Sequence, residues 1–423
     1  MQRNLFIVGL ILLIFFVISF LTNIIGPLVP EIIEDFDLSL TLVAVLPFAF
    51  FIAYGVMSIP SGLLVERIGE KKTMVGAFGV AFVGALVFAL FPNYLVAVVS
   101  LFLIGSGMAA LQVAINPLLR AAGGEEHFAF NSVLGQLFFG LASFLSPLVY
   151  SYLVLNLADP VASSGGILGF LSDIVPSELP WISLYWIFAL VSAVMVVIIA
   201  GSRFPAVERK VDEQVGALAT HLKLLKNPIV VLYFLAIFAY VGTEQGVANW
   251  ISEFLSSYHG YDPQTVGART VSFFWGAMTA GTLLGLLMLK FIDSRRVLIW
   301  FTLGAIVALT AGLFGSGAMA LVAFPAVGFF ASVMWSIVFS LALNSMDQHH
   351  GSFSGILVTG IVGGAVVPLI VGWLGDLAGL RYGMIFLYAT LGYILSVGFW
   401  AKPLVTNKTI DLSRKKITRK ANL

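Results

Sequence analysis

The sequence predicts an all-α membrane protein with twelve transmembrane helices in two six-helix halves. Three observations carry that prediction. Of the 423 residues, 60% are hydrophobic and only 10% charged, with mean hydropathy +1.03, whereas soluble domains carry about 25% charged residues. Twelve runs are apolar over the roughly 20 residues that a spanning helix needs. Finally, of the 22 Lys and Arg, all but Arg269 and Arg381 fall at or beside alternate loops, all on one side of a twelve-span chain.

In chain order the runs cover 5–29, 40–65, 73–92, 94–119, 128–155 and 180–201, then 228–258, 265–291, 296–315, 317–345, 352–375 and 382–402. The first is longer than the ~7–15 apolar residues of a signal peptide and has no convincing small-residue cleavage site after it. It therefore counts as helix 1. The basic segments 66–72, 120–127, 202–227, 292–296, 346–351 and the tail from 403 place both termini in the cytoplasm by the positive-inside rule. The acidic run Glu31, Glu34, Asp35, Asp37 then lies outside, where that rule is indifferent to it. The longest charged interruption, 202–227, divides the chain into a first half (1–201), a cytoplasmic linker, a second half (228–402) and a tail (403–423). "GQLFFGLASFLSPLV" in helix 5 and "VTGIVGGAVVPLIV" in helix 11 both set small residues ahead of a proline. Weak echoes of that kind are what duplicated transporter halves show.

Composition also excludes several functions. The chain has no cysteine, so neither a disulfide framework nor a thiolate metal site is available. A net charge of +1 gives no electrostatic case for nucleic acid. None of the five histidines (His127, His221, His259, His349, His350) sits deep in a span near an acid, so a metal site or His-based acyl transfer lacks its parts. An enzyme is not expected, and no cofactor is called for.

Polar residues inside the apolar runs are the candidate functional groups. Helix 4 carries Gln112 and Asn116 next to Pro117. Four residues apart, they lie about 40° apart on one helix face. Primary amides both donate and accept, so they suit hydroxyl-rich ligands, although membrane amides also serve as interhelical glue. Helix 1 adds Asn23, helix 5 adds Asn131 and Gln136, and helix 7 adds Glu244, Gln245 and Asn249. Asn131 and Asn344, near inner helix ends, read as capping or glue. Trp275 of helix 8 heads the aromatic candidates, with Phe138, Phe139, Trp250, Phe274 and Trp335 behind it. A sugar's C–H face can stack on such a ring. Glu244 is the only carboxylate near mid-span. An ionised acid there costs at least ~2.5–3.5 kcal/mol, so it is expected to be neutral, paired or holding a cation. Three roles stay open for it: a structural neutral acid, a sugar-hydroxyl acceptor, or the charge of a sodium site completed by oxygens such as those of Asn249.

The loop "GLLVERIGEKK", with Gly62, Glu66, Arg67, Gly69, Lys71 and Lys72, resembles the G-x-x-x-D-R-x-G-R-K signature of the major facilitator superfamily. Glu66 stands in the Asp place and Glu70 interrupts the basic run. Such a cluster (Glu66, Arg67, Lys71) can pair with the facing half and latch one conformation. "YVGTEQGVANWISEFL", "VSFFWGAMTAGTLLG", "SIVFSLAL" and above all "GSFSGILVTGIVGGAVVP" resemble the fucose–galactose–glucose:cation symporters of that superfamily, as do "NIIGPLVPEIIEDF" and "LQVAINPLL".

The resemblance implies the major facilitator fold and alternating-access uptake of a monosaccharide, a hexose or deoxyhexose, at one site between the halves. In family members the positions of Gln112 and Asn116 belong to the central cavity, and Trp275 sits in a family-like stretch; with the intramembrane polar residues Asn23, Gln136, Glu244, Gln245 and Asn249 they are the expected substrate contacts. A lipid-embedded monomer in the plasma (inner) membrane is expected, moving sugar with a coupling cation. Departures bear on which cation. Where proton-coupled relatives carry an acid in helix 1 and another in helix 4, this chain has Gly26 and Gln112, and where many carry an arginine in helix 8 it has Thr282. Neither glycine nor an amide titrates. The lean is therefore toward sodium rather than protons, with Glu244 and Asn249 as the coupling pair. The alternatives are an uncoupled sugar facilitator and an exporter of another small molecule.

Overall fold

The computed structural model describes residues 4–123, 128–157, 166–204, 223–346 and 350–404. Side chains are described for all of these but 116, 117, 120, 121, 128–130, 132, 133, 350 and 351. Twelve spans are long and apolar enough to cross a membrane. Span 1 joins α1 (Leu5–Thr22) and α2 (Ile25–Phe36). Spans 2 to 5 are α3 (Leu40–Ile68), α4 (Glu70–Leu90), α5 (Tyr94–Gly123) and α6 (Phe128–Leu157). After a short α7 (Gly166–Ile174), span 6 is α8 (Ser183–Gly201) and span 7 is α9 (Pro228–Ala248), prolonged by α10 (Ile251–His259). Spans 8 and 9 are α11 (Ala268–Met288) and α12 (Ser294–Phe314). Span 10 joins α13 (Gly317–Ala331) and α14 (Met334–Leu343), span 11 α15 (His350–Thr359) and α16 (Gly363–Ala378), and span 12 α17 (Leu380–Ile385) and α18 (Leu387–Trp400).

Side-chain caps start several of these helices. Ser39, Asn227, Asp293 and Ser316 each accept a backbone N–H from the first turn that follows, satisfying donors that a helix start leaves unpaired. The apolar runs match the spans, but five spans are interrupted where the sequence reads as continuous. In span 1 the physical cause is direct: Pro27 has no N–H to return to the carbonyl of Asn23, and the helix breaks at Asn23 and Ile24. Span 7 breaks at the corresponding place, Asn249 and Trp250. The stretch between spans 5 and 6, which reads as loop, contains α7, an amphipathic helix with Leu171 buried and Ile167 and Phe170 exposed.

The two halves repeat one packing plan. Within the first, span 3 packs on spans 4 and 6, span 2 on span 4, and span 1 on span 5. Within the second, span 9 packs on spans 10 and 12, span 8 on span 10, and span 7 on span 11. Adding six to each number converts the first set into the second. The main contacts between halves, span 2 with span 11 and span 5 with span 8, obey the same rule. The echo between helices 5 and 11 is therefore an echo between equivalent positions.

Among the hydrogen bonds between described residues, those joining the halves include a group toward the end opposite the chain termini, here the far end. Ser272 donates to the Phe144 carbonyl at 2.6 Å, Gln264 to Glu31 at 2.8 Å, and the start of span 2 to Asp376 at 2.8–2.9 Å. The far ends of spans 1 and 7 meet as well, α2 lying on α10. The molecule is closed at that end.

Candidate functional site

The breaks in spans 1 and 7 put polar side chains where the halves meet. Asn23, the last residue of α1's final turn, donates through Nδ2 to Ser143 Oγ of span 5 at 2.9 Å and to Ser19 Oγ at 3.4 Å. Ser19 and Ser143 are 2.6 Å apart, and both hydroxyls reach the Phe139 carbonyl, at 2.6 and 3.1 Å. Across the interface, Gln245 Nε2 donates to Asn23 Oδ1 at 3.5 Å. All four side chains in this chain of bonds are buried. Buried amides and hydroxyls are tolerated at this depth because each answers another.

One turn further along, the same two spans touch through backbone. A Cβ on Gly26 would overlap the Ala248 carbonyl oxygen and lie 3.2 Å from Asn249 Cα. Only glycine permits this approach. Gln245 and Asn249, four residues apart on span 7, share a face: Gln245 meets Asn23, and Asn249 lies against Gly26. Among the described residues, the buried Asn249 Nδ2 has no hydrogen-bond partner.

Glu244 occupies a different face. It is partly accessible and sits within reach of the Tyr240 hydroxyl and the Gln245 side chain. Tyr240 packs on Trp335 of span 10, ring centroids 6.0 Å apart, and Trp335 stacks on Phe339 at 5.7 Å. Five residues separate Glu244 from Asn249, about 140° around a helix. The structure does not bring these two together as a ligand pair.

Trp275 shares a face of span 8 with Thr282, seven residues on. That face lies between the one on span 5, marked by Ser272, Gly276 and Thr279, and the one on span 10, marked by Gly281 and Gly285. It is turned into the bundle. The ring is 3% exposed, meets Phe274 edge-on at 5.1 Å, and its indole N–H has no acceptor among the described residues. A buried unpaired donor costs about 1–3 kcal/mol, so such a group is primed to bond a ligand hydroxyl.

Gln112 is partly accessible and already hydrogen-bonded or otherwise engaged. It shares a face of span 4 with Gly105, which packs on Phe50 of span 2. Asn116 lies outside the described side chains. Gln136 is exposed and continues the line of Gly140 and Phe144, the face of span 5 that meets span 8. That line is about 100° from the face carrying Phe139 and Ser143, so Gln136 stands apart from the Asn23 network. Trp250 donates to the Pro368 carbonyl at 3.3 Å and is packing between spans 7 and 11. Asn344 bonds Ser340 and accepts Leu404 N–H on its carbonyl. Thr282 bonds the carbonyls of Met278 and Ser332, easing the break in span 10. Of the predicted latch residues, Lys71 donates to the Ala200 carbonyl at 2.7 Å, at the end of span 6 in its own half; Glu66 is exposed yet engaged, and Arg67 is exposed. Sequence reasoning missed Tyr240, Ser19 and Ser143. A four-residue spacing from Glu244 could have flagged Tyr240, and the same spacing from Asn23 could have flagged Ser19; serines are otherwise too common in membrane helices to stand out.

Comparison with known proteins places this geometry. The Major Facilitator Superfamily profile matches residues 11–262, more than half of the chain. A protein of Brucella abortus called a glucose/galactose transporter is 32% identical over 395 residues, covering 91% of this chain and 92% of its own length. The L-fucose-proton symporter of Escherichia coli is 23% identical, covering 89% of this chain and 90% of its own. Among solved structures, the superfamily transporter FucP in the outward conformation superposes with a TM-score of 0.67 at 22% identity. It covers 93% of this chain and 98% of that one.

Proposed function

The chain belongs to the Major Facilitator Superfamily, a family of transporters rather than enzymes, and from that premise we propose that it takes up a monosaccharide by alternating access. The observation that carries this reading is the pair of equivalent helix breaks, which brings amides and hydroxyls of spans 1, 5 and 7 to one junction between the halves. Interrupted helices in corresponding positions of two repeats are the best structural pointer to a transporter's binding site. Relatives named for glucose and galactose over about nine-tenths of the chain support a hexose or a close analogue.

On this reading the sugar is held by Gln112 and Asn116 of span 4, Glu244, Gln245 and Asn249 of span 7, Asn23 of span 1 and Trp275 of span 8, with Gln136 on the approach. The amides supply hydroxyl contacts, and Trp275 adds its free N–H and an apolar wall. A sugar hydroxyl would compete for the Asn23–Gln245 bond, so binding and the contact between halves are linked. The protein works as a monomer in the plasma membrane with both termini cytoplasmic. The far end is then the outer end, and the conformation described here is closed to the outside.

Coupling rests on Glu244, and sodium is the favoured ion. The first half has Gly26 and Gln112 where an acid would be needed for proton transfer through it. Tyr240 and Gln245, beside Glu244, contribute oxygens of the hard type that sodium prefers. The competing reading, proton coupling, draws on the relative named a proton symporter. The deciding experiment is uptake of labelled galactose, glucose and fucose into proteoliposomes, driven by an imposed sodium gradient or an imposed pH gradient. Concentrative uptake with sodium alone is expected. Uptake driven by pH alone refutes the sodium assignment, and no saturable uptake of any of the three sugars refutes the substrate class.

A further inference from the structure

Asp376 stands at the far end of span 11, and its carboxylate grips the first turn of span 2 in the opposite half. Oδ1 accepts Leu40 N–H at 2.9 Å, and Oδ2 accepts Thr41 N–H at 2.8 Å and the Thr41 hydroxyl at 2.5 Å. These are backbone donors that a helix start leaves unpaired, at the positive end of the helix dipole. Ser39 is the side-chain cap of that helix, so Asp376 is a second cap, supplied by the other half. The approach is close: a Cβ on Gly372 would meet the Leu40 carbonyl, and one on Gly375 would meet the Leu40 side chain.

The hairpin that carries Asp376 has a counterpart elsewhere. Gly372, Asp376, Gly379 and Arg381 are spaced by four, three and two residues, and so are Gly62, Glu66, Gly69 and Lys71 after span 2. The backbones agree as well. Gly69 has φ 85 and ψ 163, and Gly379 has φ 92 and ψ 147; each ends one helix and opens the next. A positive φ of this size favours glycine. One hairpin lies at the terminal end of span 2 and the other at the far end of span 11, the two spans that form the longest contact between halves.

We propose that Asp376 is a far-end latch, a carboxylate that holds the halves shut by capping the partner half's helix. The device works because separation of the halves strips the cap from span 2. The bonds exist in one conformation only, so they bias the equilibrium toward it. This inference rests on the alternating-access reading above.

The test uses the absence of native cysteine. Spin labels at Phe91→Cys and Phe314→Cys, both exposed at the far ends of the two halves, report the distance between them with and without galactose, glucose or fucose. In wild type two distances are expected. Asp376→Ala should move the population toward the longer one by about fivefold, the upper end for a charge at an exposed helix N-terminus. Asp376→Asn, which keeps the volume, should move it in the same direction by less. Thr41→Val combined with Asp376→Ala should add nothing to Asp376→Ala alone, because the bond it removes is already gone. Two distances in wild type with unaltered populations in the folded Asp376 variants overturn the latch and leave alternation standing. A lowered melting temperature without a population change assigns Asp376 to hairpin structure and also overturns it. A single distance in wild type, unmoved by any of the three sugars, overturns alternation and latch together.

Discussion

Gly26→Ala adds one methyl where the halves cross. It would overlap the Ala248 carbonyl oxygen and lie 3.1 Å from the carbonyl carbon and 3.2 Å from Asn249 Cα. A carbon and an oxygen rest at about 3.3 Å or more, and the overlap with the carbonyl oxygen is the tightest contact, so spans 1 and 7 must part by roughly an ångström. Overpacking of that kind costs about 1–3 kcal/mol. If the crossing opens during transport, the cost falls on the closed state alone, and a bias of that size changes the closed-to-open ratio by roughly 5- to 150-fold. The label pair at Phe91 and Phe314 should then show the longer distance enriched, and sugar exchange should slow because the closed state is visited less. Melting of the folded protein should change little, since the open state relieves the clash. Wild-type distances and wild-type exchange in Gly26→Ala would refute the reasoning. A drop in melting temperature with no shift in distance would make Gly26 a packing position only.

Three further outcomes follow from the site. Gln112→Ala should weaken sugar binding by about 1–3 kcal/mol, as for a lost polar partner, measured by calorimetry; a collapse in melting with normal binding by the remaining folded protein would make the amide interhelical glue. Trp275→Phe keeps a ring and removes the unpaired N–H, so binding should weaken by about 1 kcal/mol while stability holds or rises; unchanged affinity removes the indole from the site. Glu244→Gln should abolish concentrative uptake while leaving exchange at equal sugar concentrations measurable, and accumulation that survives intact takes Glu244 out of coupling.

Much of the fold was legible because a bilayer leaves few solutions. Backbone polar groups must be satisfied within each span, so apolar length and loop charge were enough to read twelve helices and their order. The breaks were not legible in the same way. Hydropathy does not register a helix interruption, and only Pro27 announced one, through the N–H it lacks. In the site, Asn23, Gln245 and Asn249 stood out as amides in apolar surroundings, and all three lie at the crossing of spans 1 and 7. What the sequence could not give was partnership. Glu244 and Asn249, five positions apart, look adjacent in the sequence, yet the helix turns them to separate faces. Ser143 becomes relevant only once span 5 is laid on span 1.

That crossing also explains why site and closure belong to one device. Asn23 and Gly26 are three residues apart on span 1, and Gln245 and Ala248 are three apart on span 7. The amide pair and the backbone contact are therefore successive turns of one interface, the amides bonded at 3.5 Å and the glycine against the Ala248 carbonyl. The amide bond is long and weak by ordinary criteria, so a sugar hydroxyl can displace it at small cost. The glycine contact is steric and has no intermediate setting: the backbones either touch or part. The Asp376 cap, on spans 11 and 2, adds charge-assisted hydrogen bonds to the same closed end. A ligand that replaces the weak amide link thus acts on a junction whose remaining contacts are all-or-none, which is the condition under which a small binding event selects between two arrangements of rigid halves.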